Sequence, residues 1–65
     1  MKRLTEFLGT LKIIPFQVIL HKYSRGIYYQ GKLKDMPEKF KNWFVAEHSD
    51  LNKLNKIEIV ILEEV

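Results

Sequence analysis

Two runs of alternating residues, separated by a glycine-containing turn, constrain the fold of this chain most. Residues 16–21 alternate with a period of two and are rich in β-branched side chains, as a half-buried strand requires. Residues 23–26 supply the turn, because Gly26 can take the positive φ that a short hairpin connection often needs. One face of the hairpin is predicted to carry Phe16, Val18, Leu20, Ile27, Tyr29, Gly31 and Leu33. The other is predicted to carry Gln17, His21, Tyr23, Tyr28, Gln30, Lys32 and Lys34.

The residues after the hairpin have the pattern of a helix start. Asp35 is expected to cap the free backbone N–H groups, with Glu38 completing a capping box and Pro37 in the first turn. In this interpretation Met36, Phe40 and Phe44 line one face of a short helix. Gly31, just before it, is expected to mark a bulge or a close contact with a facing aromatic ring.

Three further elements follow from hydrophobic spacing. Apolar residues at positions 4, 7, 8 and 11 predict a helix over about residues 3–11, which Gly9 could end as its C′ residue. A strand is expected from about Phe44, a polar loop over residues 49–55, and a strand over residues 56–63. The near-continuous apolar run of that last strand indicates a central position or burial on both faces. The predicted fold is α+β: a small four-stranded, largely antiparallel and curved sheet with an N-terminal helix, and a short helix between the two strand pairs.

Size limits what this fold can bury. Sixty-five residues are expected to form one domain over residues 1–65, with a small core and no cysteine to crosslink it. Unusually aromatic packing, or a homo-oligomer that shares its core, would compensate. Phe40, Trp43 and Phe44 are therefore assigned to the core. Without cysteines or a recognisable export signal, a cytoplasmic location is expected.

The charge of the chain is unevenly distributed. Residues 1–34 contain seven Lys and Arg against Glu6 alone, which gives 7 − 1 = +6. Residues 35–65 contain four bases against seven acids, which gives 4 − 7 = −3. Such asymmetry is typical of a basic face that meets a polyanion, and equally of a solvated surface whose halves attract one another.

Residues for catalysis or metal binding are scarce. Catalysis would need a pocket joining His21 and His48, with Glu47 or Asp50 orienting one imidazole. Neither Ser24 nor Ser49 lies in a nucleophile-elbow pattern, and the two histidines have no metal-ligand spacing. The chain is predicted not to be an enzyme and to use no cofactor or metal.

The polar side of the hairpin is the stronger functional candidate. Lys and Arg neutralise phosphates, and tyrosine rings on a sheet can stack on unpaired bases. Tyrosine and arginine are also enriched in protein-binding hot spots, and tyrosine and lysine are ordinary occupants of exposed strands. The candidate binding residues are Lys22, Tyr23, Arg25, Tyr28, Lys32 and Lys34.

A short element joins the hairpin to the predicted helix: Gly31, then three residues, then Asp35, one residue and Pro37. Together with the hydrophobic strand at residues 57–62, it resembles small uncharacterised proteins encoded by phages and prophages of Gram-positive bacteria. That resemblance implies an accessory protein of a phage or mobile element, without a known activity. The basic N-terminal half departs from the mostly acidic members of that group.

These observations lead to a non-enzymatic binding module as the predicted function. Protein–protein interaction, including self-association as a homodimer, is the first hypothesis. Nucleic-acid binding through the basic, Tyr-bearing face of residues 16–34 is the alternative. No membrane association and no small-molecule substrate are expected.

Overall fold

A mixed four-stranded sheet forms the centre of the fold in the computed structural model, which describes residues 2–50 and 54–63. A helix α1 precedes the sheet, and two 3₁₀ helices lie between its second and third strands. In chain order the elements are α1 (Leu4–Gly9), β1 (Gln17–Lys22), β2 (Ile27–Lys32), the 3₁₀ helices Leu33–Asp35 and Glu38–Asn42, β3 (Phe44–His48) and β4 (Lys56–Leu62). The predicted α+β class is confirmed.

The strands lie in the order β2-β1-β4-β3. β1 pairs antiparallel with β2, and β3 pairs antiparallel with β4, whereas β1 and β4 run parallel. The sheet is thus largely antiparallel, as predicted, and its two hairpin-like pairs meet along the parallel ladder. The predicted central position of β4 is confirmed. Burial of β4 on both faces is wrong, because Ile57, Ile59 and Ile61 are buried while Glu58 between them is exposed.

The hydrophobic core lies on one face of the sheet, beneath α1 and the two 3₁₀ helices. The sheet contributes side chains from its two central strands, and Phe40 belongs to this core, as predicted. Trp43 packs against the core, while Phe44 is half-buried and lies outside it. The buried core residues are Leu4, Phe7, Val18, Leu20, Met36, Phe40, Ile57, Ile59 and Ile61.

Helix α1 is shorter than the predicted residues 3–11. It ends at Gly9, and Thr10 is its C-cap: the backbone N–H and the hydroxyl of Thr10 both donate to the Phe7 carbonyl, at 3.0 and 2.7 Å. Because these bonds satisfy carbonyls of the last turn, the helix ends without a glycine at C′. Among the residues that the structure describes, no helix is long and apolar enough to span a membrane.

The predicted capping box at Asp35 and Glu38 is wrong. The two 3₁₀ helices replace the single predicted helix; Asp35 ends the first, Pro37 is the N-cap of the second, and neither has a side-chain capping bond. Met36 between them has a ψ of 132°. A proline disfavours helical geometry in the residue before it, so the chain cannot continue as a helix through Met36.

Both glycines of the hairpin have the backbone roles expected of them. Gly26 has a φ of 102° in the turn, as predicted. Gly31 has a φ of 155°, and a Cβ there would lie 3.0 Å from the Tyr29 hydroxyl oxygen. The expected close contact with an aromatic ring is confirmed, although the ring belongs to Tyr29 of the same strand and does not face Gly31 across the ladder.

Candidate functional site

A bulge divides the predicted polar face of the hairpin. Leu20 pairs with Tyr29, but the next residue, His21, pairs with Ile27, so the register shifts at this point. Two residues of the bulged strand then oppose one residue of its partner, which changes the direction of the extra side chain. Tyr28 therefore leaves the face predicted for it, and Ile27 shares a face with His21.

Tyr28 packs into an aromatic cluster on the core side of the sheet. Its ring centroid lies 4.9 Å from that of Trp43, in an edge-to-face arrangement, and 5.8 Å from that of Phe40. The Lys22 ammonium lies 5.2 Å from the Tyr28 ring centroid, and Lys39 stands at the same distance from Phe40. Such cation–π contacts stabilise by about 0.5–1 kcal/mol at exposed sites. Tyr28 is thus mainly a packing residue, and the Lys22 ammonium already lies over its ring.

The other candidate binding residues are dispersed along the hairpin. Tyr23 and Arg25 are exposed in the turn, and 71% of Tyr23 is accessible. Lys32 lies at the opposite end of β2, with its ammonium 5.7 Å from the centroid of the Phe16 ring. Lys34 belongs to the first 3₁₀ helix and not to the strand. The structure therefore does not unite these residues in one continuous basic surface.

The segment between α1 and β1 exposes three large apolar side chains. Ile13, Ile14 and Phe16 have accessible fractions of 61, 72 and 55%, whereas Pro15 among them is fully buried. Phe16 was predicted to share a face with Val18 and Leu20, which are buried in the core. It precedes the first residue of β1, and its N–H donates to the Asn55 carbonyl at 2.9 Å, so the alternation of the strand does not extend to its side chain.

An apolar cleft lies beside this segment. It has a volume of about 220 Å³ and is lined by Ile14, Pro15, Phe16, Leu33 and Lys34. The Leu33 N–H donates to the Phe16 carbonyl at 3.0 Å, which holds the end of β2 against the segment. We call Ile13, Ile14, Phe16 and Leu33 the apolar patch.

The two edges of the sheet differ. At β3, the Lys2 carbonyl accepts a bond from the Val45 N–H at 2.9 Å, and Leu4 donates to the Trp43 carbonyl at 2.7 Å, so the chain before α1 covers part of that edge. β2 pairs only with β1 among the described residues. The open edge of β2 ends at the apolar patch.

A second candidate region is an open groove of about 570 Å³ between the hairpin turn and the end of β3. Both histidines line it. His21 Nε2 lies 2.9 Å from Glu58 Oε1, in an ion pair or hydrogen bond set by the protonation state of the ring. The His48 ring packs against the Phe7 ring in a tilted arrangement, with the centroids 4.5 Å apart, and its Nδ1 lies 3.0 Å from the Ser49 carbonyl oxygen.

The groove does not join the two histidines as a catalytic pair. His21 pairs with Val60, and His48 pairs with the adjacent residue of β4, Ile59. Because neighbouring residues of a strand point to opposite faces, the two histidine side chains do so as well. Ser49 Oγ accepts a bond from the Glu58 N–H at 3.1 Å. Within residues 2–50 and 54–63, no three His, Asp or Glu side chains could together hold a metal ion.

Sequence reasoning missed two features of these regions. The Ile13–Ile14 pair before Pro15 was a signal for the apolar patch. Two adjacent apolar residues between a helix and a strand fit neither the helical nor the strand periodicity, so neither pattern assigns both of them to a buried face. The partner of His21 had no local signal, since Glu58 is 37 residues away and meets it only through the parallel β1–β4 pairing.

Comparison with protein-family models, with curated proteins and with solved structures finds no match to this chain.

Proposed function

We propose that this protein is a non-enzymatic module that binds another protein through the apolar patch. The observation that supports this function is the exposure of Ile13, Ile14 and Phe16 around a buried proline, beside an apolar cleft. A domain with a small core would gain stability by burying these side chains internally. They are instead held outside, next to a cleft that can accept an apolar side chain.

The size of the patch favours a short partner segment over a second copy of the chain. A contiguous patch of a few hundred Å² is comparable to the largest one on a typical monomer and is often functional. A stable dimer needs about 800 Å² from each partner. Three or four side chains do not supply that area, so we expect the free protein to be a monomer.

The charges around the patch indicate the chemistry of the partner. Lys32 lies against the Phe16 ring, and Lys34 lines the cleft. The chain contains no Asp or Glu from residue 7 to residue 34. A partner segment that combines a large apolar residue with acidic neighbours is the one that this surface complements.

Nucleic acid is less well supported as a partner. Stacking requires free ring faces, but lysines lie over the rings of Tyr28 and Phe16. Of the hairpin aromatics, Tyr23 is highly exposed, and it stands at the far end of β2 from Lys32.

We further propose that this protein is a cytoplasmic accessory protein of a phage or mobile element. The spacing from Gly31 through Asp35 to Pro37 supports it, through the resemblance described above. A curved sheet, as the sequence predicts, would present the apolar patch and the β2 edge on one rim.

Selection from a displayed library of random peptides tests the proposed function. The targets are the wild-type protein, an Ile14→Ser/Phe16→Ser variant, and a Tyr23→Ser control that removes an exposed ring at the other end of the hairpin. Full burial of one such apolar side chain stabilises by about 1.5–3 kcal/mol. Because both are partly exposed, the double variant should lose about 2 kcal/mol, which is about thirtyfold in affinity.

The proposal expects peptides with one large apolar residue and several acids, bound equally by wild type and Tyr23→Ser. A selection that enriches no peptide, or enriches peptides that the double variant binds as well as wild type, would overturn it. Light scattering in the same buffer reports the oligomeric state, and a stable dimer would contradict the expected monomer.

A further inference from the structure

We infer that the partner binds as an extended acidic segment that adds a fifth strand to the sheet along the open edge of β2, with an apolar side chain in the cleft. This inference rests on the proposed function and specifies the conformation of the partner. Three features support it: the outward backbone groups of β2, the position of the cleft, and the charges along this edge.

The hydrogen-bond pattern identifies which groups of β2 point away from the sheet. Gln17 donates its N–H toward β4, to the Asn55 carbonyl at 3.2 Å, and the Lys22 N–H donates to Gly26 in the hairpin. In an antiparallel pair, hydrogen-bonded and non-hydrogen-bonded residue pairs alternate. The pairs Val18–Gly31 and Leu20–Tyr29 are therefore the bonded ones.

The residues of β2 that alternate with those bonded pairs present their backbone outward. Gln30 and Lys32 oppose Ile19 and Gln17, so their N–H and C=O groups point away from β1. The Lys32 carbonyl accepts a 2.7 Å bond from the Tyr29 hydroxyl, which agrees with this orientation. The N–H and C=O of Gln30 and the N–H of Lys32 remain to pair with an added strand, the mode of recognition by β-strand addition.

The apolar cleft lies in line with this edge. Leu33 follows directly on the last residue of β2 and lines the cleft together with Ile14 and Phe16. A segment paired with Gln30 and Lys32 would thus continue into the cleft, where a large apolar residue can be buried. Backbone pairing supplies affinity in this mode, and the side-chain pocket supplies specificity.

Charge selects an acidic segment and disfavours a second copy of β2. Lys32 at the end of β2 and Lys34 just beyond it lie at the cleft end of this edge, Arg25 lies in the turn at its other end, and no acid lies in β1, β2 or the turn between them. Pairing two copies of β2 would oppose these like charges, an arrangement that protects edge strands from aggregation. An acidic strand gains from the same charges.

Two measurements on a peptide selected against the wild-type protein test the inference. The first replaces Gln30 by proline, which removes an outward N–H that the β1–β2 ladder does not use. Gln30→Thr is the matched control because it changes the side chain and keeps the N–H. Strand addition expects Gln30→Pro to weaken the peptide about tenfold, and Gln30→Thr to bind like wild type.

The second measurement leaves the protein unchanged and therefore holds even where Gln30→Pro fails to fold. Each peptide residue is N-methylated in turn. An added strand turns alternate N–H groups toward β2, so affinity should fall about tenfold at every second position and stay near wild type between them. Loss with no period of two would overturn the inference.

The outcomes separate this inference from the proposed function. If no peptide is enriched, the proposed function fails. If peptides bind through Ile14 and Phe16 but show neither the Gln30→Pro loss nor the period of two, only strand addition fails. A single-stranded oligothymidine that displaces the peptide in a salt-dependent way, without the period of two, would identify a polyanion surface and also overturn the inference.

Discussion

The same substitution at two glycines should change stability in opposite directions. At Gly31, a Cβ would lie 3.0 Å from the Tyr29 hydroxyl oxygen and 3.3 Å from ring carbon Cζ, on a backbone with a φ of 155°. At Gly9, the last residue of α1, a Cβ would meet nothing within 4 Å. Comparison of the two variants therefore separates the effect of backbone strain and side-chain collision at Gly31 from the general effect of adding a methyl group.

The magnitudes follow from these environments. A residue other than glycine in this backbone region costs about 1–3 kcal/mol, and the Tyr29 ring cannot withdraw freely because its hydroxyl is bonded to the Lys32 carbonyl. We expect Gly31→Ala to lower the free energy of unfolding by about 2 kcal/mol. Gly9→Ala should raise it by about 0.5–1 kcal/mol, through helix propensity and a less flexible unfolded chain.

Urea denaturation measures both changes, followed by circular dichroism and by the fluorescence of Trp43, the single tryptophan. A domain of this size has a total stability of roughly 3–5 kcal/mol, so a loss of 2 kcal/mol will shift the midpoint clearly. Adding Tyr29→Phe to Gly31→Ala removes the closest atom and should recover part of the loss. Equal stability of wild type and Gly31→Ala, or destabilisation by Gly9→Ala as well, would refute the reasoning.

Three further experiments test the packing and the polar contacts. Leu20→Ala creates a cavity in the core and should cost about 2–5 kcal/mol, which is a large part of the total stability and lowers the urea midpoint at 25 °C; an unchanged midpoint would contradict the core position of Leu20. Arg3→Ala removes the 2.7 Å bond to the Asn42 carbonyl and should cost about 1 kcal/mol in urea denaturation; no loss would contradict that role. A double-mutant cycle of His21→Ala and Glu58→Ala should give a coupling below about 1 kcal/mol, because both side chains are partly exposed; a larger, salt-insensitive coupling would contradict this.

Periodicity was sufficient to predict the elements whose pattern is local. The hairpin turn at Gly26, the strand from Phe44 and the strand at residues 56–62 agree with the structure because alternation and turn chemistry act over a few residues. The middle of the predicted loop, residues 51–53, lies outside the described residues. The helix predicted to begin at Asp35 was misassigned because a local cap signal was weighed above the effect of Pro37 on Met36.

The candidate site was predictable only in part, because it depends on non-local pairing. The bulge that moves Tyr28 into the aromatic cluster arises where β1 and β2 meet, and no residue of either strand specifies its place. The parallel pairing of β1 with β4 joins segments about forty residues apart and brings Glu58 to His21. Lys32 and Lys34 were selected as candidates and lie beside the apolar patch, which sequence reasoning overlooked.

A map of backbone amide chemical shifts, recorded while a selected peptide is titrated into the labelled protein, tests the central claim most directly. Binding at the apolar patch predicts the largest changes at residues 13, 14, 16 and 30–34, with residues 47–49 and 58 nearly unchanged. Changes concentrated in the groove around His21 and Glu58, or confined to the turn at Tyr23 and Arg25, would contradict the account.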